Sequence, residues 1–347
     1  MCKYSAVRKA ADKLGWTECE EGRENWQMFW TDLSVNHARV KALQPLQRIN
    51  HFADMTCICN KAQSALVLRS LLKYFQSEYH FFPQSWSLPK ETSQVVSHLQ
   101  PAEGNPRNAL ILKPSRGCQG ADIALVTSVE QLDAARTAMG GTTSLVAQEY
   151  VDRPLLLGGY KFDLRLYVLV TSCVPLRVHL FRDGIGRLCA EKYHPAKSSG
   201  KDSARGGGGG FDGLGGDWRY RHLTNYAINK HHPEFSVGED GAKRRLGSVL
   251  DQLASQGHDV DLLWGEIQQL AVKTLIAVQP TLAHAYMSCR PGPDVHPFSC
   301  FELLGLDLLG ASRPAPQRLY PPALSCPARC YAACPSTLRS SLLLRDS

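Results

Sequence analysis

The pattern of apolar and polar positions predicts alternating helices and short strands in the first part of the chain. Apolar residues recur at helical spacing up to Gly15, which predicts a helix that ends there. The aromatic run Trp26–Trp30 predicts a short strand, and residues 62–75 again show the helical period. The proline-bearing stretch 82–89 is typical of a link into the next segment.

The central block is predicted to consist of strands and a glycine-bearing loop. Apolar runs at 109–114 and 123–126 predict two strands, and the glycine loop, Gly117–Gly120, joins them. Ser128 has the chemistry of an N-cap, so a helix is predicted to start after it. Two further strands are predicted by the apolar runs at residues 145–151 and 162–172.

The second half of the chain predicts a hairpin, a flexible loop and two helices. Residues 176–190 show a hairpin-like pattern around Asp183-Gly184. Residues 196–217 are low in complexity and rich in glycine, as in a flexible surface loop. Helical periods predict two helices, over residues 242–256 and 261–284.

The composition changes after a last predicted strand at Cys300–Leu309. Residues 310–347 are rich in proline, alanine, serine, arginine and leucine, and they have no acidic residue before Asp346. They show no clear hydrophobic period. We therefore expect a disordered tail that lies outside the fold.

Length and composition favour a globular protein. The 347 residues suggest roughly two domains. Hydrophobic residues make up 44% and charged residues 20%, which excludes a wholly disordered chain, collagen and a coiled-coil rod. No apolar run approaches the ~18 residues of a membrane helix, and the first residues lack the apolar segment of a signal peptide.

Cysteine content and net charge bear on the compartment and the partners. Twelve cysteines without a signal peptide favour a reducing compartment. The tight groups Cys57–Cys59 and Cys326–Cys334 lack the spacing of a zinc site. The net charge of +7 favours an acidic partner, whether nucleic acid, anionic lipid or an acidic protein surface.

Several charged residues lie on strands that are otherwise apolar. The alternation along one strand places Lys161, Asp163 and Arg165 on one face, and along another it places Glu302 and Asp307 on opposite faces. Half-buried charges are costly unless they are paired or liganded. Cations and a carboxylate near the glycine loop suit a nucleotide polyphosphate with magnesium. An ion-pair ladder on a half-exposed sheet is the alternative.

Two further segments leave alternatives open. Residues 222–230 are dense in short polar side chains, which is typical of a capping turn or a loop. Lys243–Arg245 is a basic cluster at a predicted helix start, where the helix dipole disfavours cations. Either an anion lies nearby or the cluster is a solvated face.

Several runs together resemble the motifs of a known family in order, content and rough separation. They are Trp26-Gln-Met-Phe-Trp-Thr-Asp32, Arg48-Ile-Asn-His-Phe52, Lys113-Pro-Ser-Arg-Gly-Cys-Gln-Gly120, Gln148-Glu-Tyr-Val151, Lys161 to Val170, His222-Leu-Thr-Asn-Tyr-Ala-Ile-Asn-Lys230 and Cys300-Phe-Glu-Leu-Leu-Gly-Leu-Asp307. The chain resembles the tubulin tyrosine ligase-like enzymes, most closely their polyglutamylase branch. The resemblance covers about residues 2–309 and is specific because many weak motifs agree.

The resemblance implies an α/β (α+β) protein with an ATP-grasp fold and a smaller N-terminal α/β domain. The expected division is an N-terminal domain at 1–90, an incomplete ATP-grasp ligase domain at 91–309, and a non-family tail at 310–347. The implied reaction uses ATP to activate a glutamate side chain of a protein as an acyl phosphate. The amine of free L-glutamate then attacks and forms an isopeptide branch.

The implied partners are tubulin and microtubules, through acidic C-terminal tails that suit the positive net charge. The expected protein is a monomer that binds neither a membrane nor nucleic acid. The expected location is the cytoplasm and its cytoskeleton, including the axoneme or basal body of a cilium or flagellum.

The resemblance also assigns roles to single residues. Arg187, Tyr226 and Lys243 would hold the incoming glutamate, with Arg187 paired to its carboxylate. Arg165 would stabilise the acyl-phosphate transition state, and Asp307 would bind Mg²⁺. The residues implied in ATP binding are Lys113, Gln119, Gly120, Gln148, Glu149, Tyr150, Val151, Lys161, Phe162, Asp163, Thr224 and Asn225.

The chain departs from the family pattern at two places. Ala121-Asp122 stands where the family has a basic residue and a glycine, and no Glu-x-Asn follows Asp307. The alternative functions are therefore an inactive, truncated relative that binds microtubules or nucleotide, and a ligase for glycine or tyrosine. Arg187 disfavours the second, because a buried guanidinium needs an anion. Nucleic-acid binding is a further alternative, although basic and aromatic residues do not interleave.

Overall fold

The computed structural model describes most of the chain. The described residues are 2–20, 25–100, 109–117, 120, 122–141, 144–195, 217–291 and 298–311, together with the backbone of two strands at 318–325 and 341–346. Gln119 of the glycine loop, much of the predicted loop 196–217 and Cys326–Cys334 lie outside them.

The first part of the chain folds into short helices and strands. Asn60 caps the longest of these helices, because its side chain accepts hydrogen bonds from the N–H groups of Ala62 and Gln63. In chain order the elements are α1 (Ser5–Lys13), β1 (Trp16–Cys19), β2 (Met28–Thr31), α2 (His37–Lys41), β3 (Arg48–Ile49), α3 (Thr56–Cys59), α4 (Lys61–Tyr74) and α5 (Gln76–Tyr79).

The next part alternates strands with two helices. The predicted cap is confirmed: Ser128 Oγ accepts a hydrogen bond from Gln131 N at 3.3 Å. The elements are β4 (Ser85–Leu88), α6 (Thr92–Leu99), β5 (Leu110–Pro114), β6 (Ala124–Val126), α7 (Val129–Ala138) and β7 (Leu145–Glu149).

The last part contains the long strands and the long helices. Its elements are β8 (Leu156–Leu157), β9 (Tyr160–Cys173), β10 (Leu176–Leu188), α8 (Arg219–His222), α9 (Tyr226–Asn229), β11 (Lys243–Arg245), α10 (Leu246–Ser255), α11 (Val260–Ile276), α12 (Gln279–Cys289), β12 (Glu302–Ala311), β13 (Arg318–Ser325) and β14 (Ser341–Asp346).

The described strands form three sheets, so the predicted mixed α/β architecture is confirmed. The first sheet has the order β1-β14-β2-β3, the second β4-β7-β5-β6, and the third β11-β10-β9-β12-β13 with β8 paired to β9. In the third sheet β9 is antiparallel to both of its long neighbours. The strands of the third sheet therefore carry residues from distant parts of the sequence side by side.

The two faces of the third sheet differ in polarity. Leu164, Leu166 and Val168 of β9 are at most 2% exposed and join the largest apolar core. Leucines and valines of α10, α11 and α12 belong to the same core. The alternation of a strand then places the odd-numbered residues of β9, which include the predicted Lys161, Asp163 and Arg165, on the opposite face.

A buried ion pair joins the run Arg48–Phe52 to the start of β12. Glu302 Oε1 lies 2.7 Å from His51 Nδ1, and Glu302 Oε2 accepts a hydrogen bond from Phe52 N at 2.9 Å. His51 Nε2 lies 2.9 Å from the carbonyl oxygen of Thr31. His51 Nε2 also lies 3.3 Å from Asn50 Nδ2, so hydrogen-bonding groups hold this buried ring at both nitrogens.

Three predicted elements differ in the structure. The expected hairpin at 176–190 is one strand, β10, with irregular pairing between Leu180 and Gly184. The helix expected over 242–256 begins at Leu246, because Lys243–Arg245 pairs with β10 as β11. The helix expected over 261–284 is two helices that break before Pro280, whose ring cannot continue a helix.

The region after residue 310 also differs from the expected disordered tail. β12 continues to Ala311, β13 pairs with β12, and β14 lies between β1 and β2. Each of these strands satisfies a sheet edge that would otherwise have open hydrogen-bonding groups. β4, placed before the predicted boundary at residue 90, pairs with β7 of the second sheet. The domain limits stay a prediction.

None of the described helices combines the length and the apolar character that a membrane crossing requires. The longest of them, α11, has 17 residues.

Candidate functional site

A cluster of four charged residues crosses the middle of the third sheet. Arg187 donates to both oxygens of Asp163, with Nε to Oδ1 at 2.7 Å and Nη2 to Oδ2 at 2.6 Å. Arg165 forms the same two-point contact with Asp307, with Nη2 to Oδ2 at 2.9 Å. Arg187 Nη2 also lies 2.8 Å from Asp307 Oδ1. We call Asp163, Arg165, Arg187 and Asp307 the charge cluster.

The register of the sheet builds this cluster. Asp163 pairs with Arg187 across β9 and β10, and Arg165 pairs with Asp307 across β9 and β12. Directly paired residues on one face have adjacent side chains. The predicted common face of Asp163 and Arg165 is therefore confirmed, and it brings in Arg187 and Asp307 from the neighbouring strands.

Burial and charge act in opposite directions on the two carboxyl groups. Burial alone would raise the pKa of Asp307, but the charges of Arg187 and Arg165 outweigh it and hold that pKa below its usual value. Burial raises the pKa of Asp163 in spite of Arg187, and the negative charge of Asp307 adds to this rise. The two carboxylates compete for one shared guanidinium.

Two lysines lie beside the charge cluster, Lys161 buried and Lys113 half-buried. Lys113, on β5, donates from Nζ to Gln148 Oε1 at 3.0 Å, and Lys161, on β9, donates to the hydroxyl oxygen of Tyr150 at 2.8 Å. Burial, with the charges of Lys61 and Lys161, lowers the pKa of Lys113 to about 7. Burial lowers the pKa of Lys161 to about 8.

Within the described residues, neither lysine forms an ion pair with a carboxylate. Burying a cation whose hydrogen bonds go to neutral groups is unfavourable. An anion between the two ammonium groups would restore the charged form of both. A phosphate chain has the charge and the oxygen acceptors that this arrangement requires.

The glycine loop is held from both sides. Gly120 has φ +81°, and a Cβ added there would lie 2.7 Å from Ile228 Cδ1 and 2.9 Å from Asn225 Cγ. On the other side, Lys61 donates from Nζ to the carbonyl oxygens of Pro114, at 3.2 Å, and Gly117, at 2.7 Å. The loop therefore lies against the predicted nucleotide residue Asn225.

The predicted adenine segment, Gln148–Val151, lies along the second sheet. The N–H groups of Glu149 and Tyr150 donate to the carbonyl oxygens of Gln84 and Ala109, each at 2.9 Å. These two N–H groups are therefore already engaged, so a base would contact the backbone of this segment through carbonyl oxygens or through Val151. A cavity of about 80 Å³ borders this segment and is lined by Pro83, Glu149, Tyr150, Val151, Asp152, Arg153 and Ala311.

The structure brings most of the remaining predicted site residues together. Thr224 donates from Oγ1 to Asp163 Oδ2 at 2.8 Å. Lys243 pairs with Arg187 across β10 and β11, and its Nζ lies 4.7 Å from the centre of the Tyr226 ring. Arg187, Lys243 and Tyr226, the predicted glutamate residues, are therefore neighbours.

One predicted residue does not face the site. Phe162 is 2% exposed and belongs to the apolar core with Leu164. Its position between Lys161 and Asp163 in the alternation of β9 directs it to the opposite face. A contact of the Phe162 side chain with a nucleotide is therefore not supported.

The residues present fit a nucleotide polyphosphate better than they fit magnesium. Asp307 and Asp163 both bind arginine side chains through both carboxylate oxygens. In the part of the chain that the structure covers, no three His, Cys, Asp or Glu side chains come together as metal ligands. Mg²⁺ prefers six oxygen ligands, and beside a nucleotide these are one or two carboxylates together with phosphate oxygens and waters. Asp163 or Asp307 would have to exchange an arginine contact before its carboxylate could bind Mg²⁺.

Two residues of the site, Lys61 and His222, were not predicted from the sequence. Lys61 reaches the glycine loop from α4, and His222 Nδ1 lies 2.8 Å from the Tyr150 hydroxyl oxygen. Lys61 follows the capping residue Asn60, which marks a helix start but not its distant contacts. His222 opens a run that we interpreted as a turn, and its partner is 72 positions away in sequence.

A mixed α/β fold that brings two lysines, a glycine loop and a charged sheet face together is typical of proteins that bind a nucleotide phosphate chain. Residues 39–319 match the Tubulin-tyrosine ligase family, and the chain belongs to that family. The family predicted from the motifs is thereby confirmed.

Similar proteins include several with polyglutamylase names. The chain is 37% identical to "Tubulin polyglutamylase TTLL7" of Xenopus tropicalis over 314 residues, which are 88% of this chain and 32% of that protein. It is 37% identical to "Tubulin polyglutamylase ttll6" of Danio rerio over 310 residues, 89% of this chain and 36% of that protein. It is 36% identical to the "Probable beta-tubulin polyglutamylase" of Tetrahymena thermophila over 315 residues, 88% of this chain and 24% of that protein. The chain thus spans about a third or less of the length of these curated relatives.

Proposed function

We propose that this chain is an ATP-dependent tubulin polyglutamylase, which links L-glutamate to glutamate side chains of tubulin tails through an acyl phosphate. The observation that supports it most is the pair of lysines beside the charge cluster and the glycine loop, Lys161 buried and Lys113 half-buried, neither of them paired with a carboxylate among the described residues. Membership of the Tubulin-tyrosine ligase family and the names of the relatives support the same reaction.

In this proposal Lys113 and Lys161 hold the ATP phosphates, and the glycine loop covers them through Gly120 and the predicted Gln119. Gln148 positions Lys113 through its side-chain oxygen and is itself held, because its Nε2 donates to Ser85 Oγ at 2.9 Å. The remaining predicted nucleotide contacts come from Glu149, Tyr150, Val151, Asp163, Thr224 and Asn225.

The reaction has two steps. A carboxylate oxygen of the acceptor attacks the γ-phosphorus of ATP, the bond to the bridging oxygen breaks, and ADP leaves. The amine of glutamate then attacks the acyl carbon, phosphate leaves, and the nitrogen loses a proton to form the isopeptide. Arg165 lies beside Asp307 on the charged face, where a guanidinium can stabilise negative charge as it develops.

Arg187 and Lys243 would select glutamate by charge. Lys243 lies next to Tyr226, which is 44% exposed, and pairs with Arg187 across β10 and β11. A substrate carboxylate would bind Arg187 in exchange for one of its two aspartate contacts. Glycine and tyrosine bring no side-chain carboxylate for this exchange, so they would bind more weakly.

Magnesium has no step in this proposal. Asp307 is the residue that the family resemblance implies as its ligand, and in this structure its carboxylate binds Arg165 and Arg187. That observation favours a second candidate function, a relative that binds nucleotide and microtubules without ligase activity. In both cases we propose the microtubule cytoskeleton as the location.

Incorporation of labelled glutamate tests the proposal. Purified protein is mixed with microtubules, ATP and radioactive L-glutamate, and label on tubulin is counted. We expect ATP-dependent incorporation that is lost in Lys113→Met and Lys161→Met and kept in Lys90→Met, which removes an exposed lysine. ATP binding without incorporation would support the second candidate. Equal incorporation of glycine or tyrosine would contradict the assignment of Arg187.

A further inference from the structure

A chain of hydrogen bonds connects Lys161 to a buried histidine. The Lys161 ammonium group donates to the Tyr150 hydroxyl oxygen at 2.8 Å, and that oxygen lies 2.8 Å from His222 Nδ1. Lys161, Tyr150 and His222 are 5%, 9% and 1% exposed. Bulk water therefore has little access to these contacts.

The order of donors in this chain follows from its chemistry. An ammonium group can only donate, so the Tyr150 oxygen accepts from Lys161. The single hydroxyl hydrogen of Tyr150 has two possible acceptors, His222 Nδ1 at 2.8 Å and the neighbouring Tyr193 hydroxyl oxygen. We assign it to His222 Nδ1, which gives the neutral ring with its proton on Nε2. In this arrangement the lone pairs of Tyr150 are directed at the cation, which stabilises the charged lysine.

The surroundings fix the histidine ring. The rings of Tyr150 and Tyr193 lie 5.8 Å and 5.4 Å from the ring of His222, both edge-on, and Trp218 lies 6.2 Å away. The Tyr193 hydroxyl donates to the carbonyl oxygen of Asp152 at 2.6 Å. Packing thus limits how His222 can turn away from Tyr150.

The chain of contacts joins two segments of the site. Tyr150 belongs to the predicted adenine segment, and His222 ends α8, just before Thr224 and Asn225. Asn225 contacts the position of Gly120 in the glycine loop. A change at His222 can therefore reach the phosphate site through Lys161, although His222 itself lies behind Tyr150.

We propose that His222 is a positioning residue for the nucleotide: acting through Tyr150, it holds the Lys161 ammonium group in place and charged for phosphate binding. The inference rests on the proposed function, because it requires Lys161 to bind ATP. It assigns His222 no contact with substrate. His222 would act only through the Tyr150 hydroxyl.

Two substitutions that differ only in reach test the role of Nδ1. In His222→Asn the amide oxygen can take the place of Nδ1, whereas in His222→Gln the longer side chain directs its amide toward the position of Nε2. We expect ATP affinity, measured by calorimetry, to fall about tenfold in His222→Ala and His222→Gln, as for one lost hydrogen bond to a charged network. We expect His222→Asn to stay within about threefold of wild type.

A double-mutant cycle separates positioning from packing. In Lys161→Met the cation is absent, so adding His222→Ala should change the residual ATP affinity by less than about twofold. Tyr150→Phe keeps the ring and should lower ATP affinity about tenfold in the presence of Lys161. If His222→Ala does not fold, Tyr150→Phe and its double variant with Lys161→Met give the same comparison.

Each outcome has a distinct meaning. Equal losses in His222→Asn and His222→Gln, or additive losses in the Lys161→Met background, would overturn the positioning role and leave the ATP site intact. If the wild-type protein binds no ATP at all, the proposed function fails, and this inference fails with it. Rescue by asparagine together with a non-additive cycle supports the inference.

Discussion

Lys113, the proposed phosphate-binding residue on β5, illustrates the cost of placing an ammonium group partly away from water. Its pKa of about 7 in the folded protein lies well below the 10.5 of a free lysine. At pH values below about 7 the half-buried ammonium is charged in both the folded and unfolded states, so the full cost of its desolvation opposes folding. Between about pH 7 and 10.5 the lysine is neutral in the folded protein but still charged in the unfolded protein. The free-energy cost of removing its proton on folding decreases as the pH rises, so the penalty on stability decreases too.

We therefore expect Lys113→Met to make the protein more stable while it abolishes ATP binding. The free energy of unfolding at pH 7 should rise by at least about 1 kcal/mol, and the gain should shrink at pH 9 to 10. Urea unfolding at several pH values measures this, with Lys90→Met as the exposed control. A Lys113→Met gain that stays constant with pH would contradict the role of charge.

Gly120 allows a second comparison at the residue scale, because another glycine matches its backbone. Gly120 and Gly257 have φ of +81° and +86°, but a Cβ at Gly257 has nothing within 4 Å. Alanine at either site should cost about 1–2 kcal/mol of stability for the left-handed backbone. Only Gly120→Ala should also displace the loop from Asn225 and lower ATP affinity, about tenfold or more. Calorimetric titration of both variants with ATP measures the difference.

The single residues that sequence analysis identified share one property. Lys161, Asp163 and Arg165 follow one another at a period of two, so their common face could be predicted from the strand pattern. The contact between Tyr150 and His222 could not, because it depends on how two distant segments pack. The same alternation directs the Phe162 side chain into the core, away from the face that carries Lys161 and Asp163.

Among the elements, β10 shows why a local turn signal misled the prediction. Asp183-Gly184 is a common hairpin sequence, yet here the glycine lies within one long strand. A Cβ at Gly184 would lie 2.4 Å from the carbonyl oxygen of Arg165, so the glycine permits close approach of two backbones. The irregular pairing at this position leaves Arg187 in register with Asp163.

Because Arg187 joins three strands through its contacts, its loss should affect folding as well as substrate binding. Arg187→Met leaves Asp163 and Asp307 buried with less compensating charge, which should destabilise the protein by about 3–5 kcal/mol at pH 7. Their pKa values should then rise, so part of the loss should be recovered at pH 5, where the carboxyl groups can bind protons. In the wild-type protein the pKa of Asp307 is lowered, so its ionised carboxylate stops contributing to stability only when the pH falls below the ordinary aspartate range. Urea unfolding of both proteins at pH 7 and pH 5 measures this.

The junction between the run Arg48–Phe52 and β12 depends on Glu302. Glu302→Gln removes the charge that faces His51 in a fully buried position and should destabilise the protein by about 3–5 kcal/mol. The exposed pair of His37 and Asp54, at 3.0 Å, is the matched control, and His37→Ala should cost under about 0.5 kcal/mol. Thermal or urea unfolding measures both. Similar losses in the two variants would contradict a special role for the buried pair.

At the scale of the whole molecule, the mixed architecture was predictable and the sheet order was not. Hydrophobic periods indicated most strands and helices of residues 109–173 within a few positions. The strands after residue 311 carry no such period, and β14 pairs with β1, where Trp16 lies opposite Asp346. The pairing of β14 with β1 depends on sheet edges that exist only in the folded protein, so no local sequence pattern predicts it. The predicted boundary at residue 90 similarly could not anticipate that β4 joins β7.

Lys113 and Lys161 should also make the protein take up protons from its solvent when it binds a nucleotide. With pKa values of about 7 and about 8, Lys113 and Lys161 are only partly protonated near neutral pH. A bound polyphosphate stabilises both charged forms, so binding should draw hydrogen ions out of the buffer. The heat of ATP binding at pH 8 should therefore differ between two buffers of different ionisation enthalpy, and the difference should shrink at pH 6. In a weakly buffered solution the same event should be visible as a rise in pH when nucleotide is added.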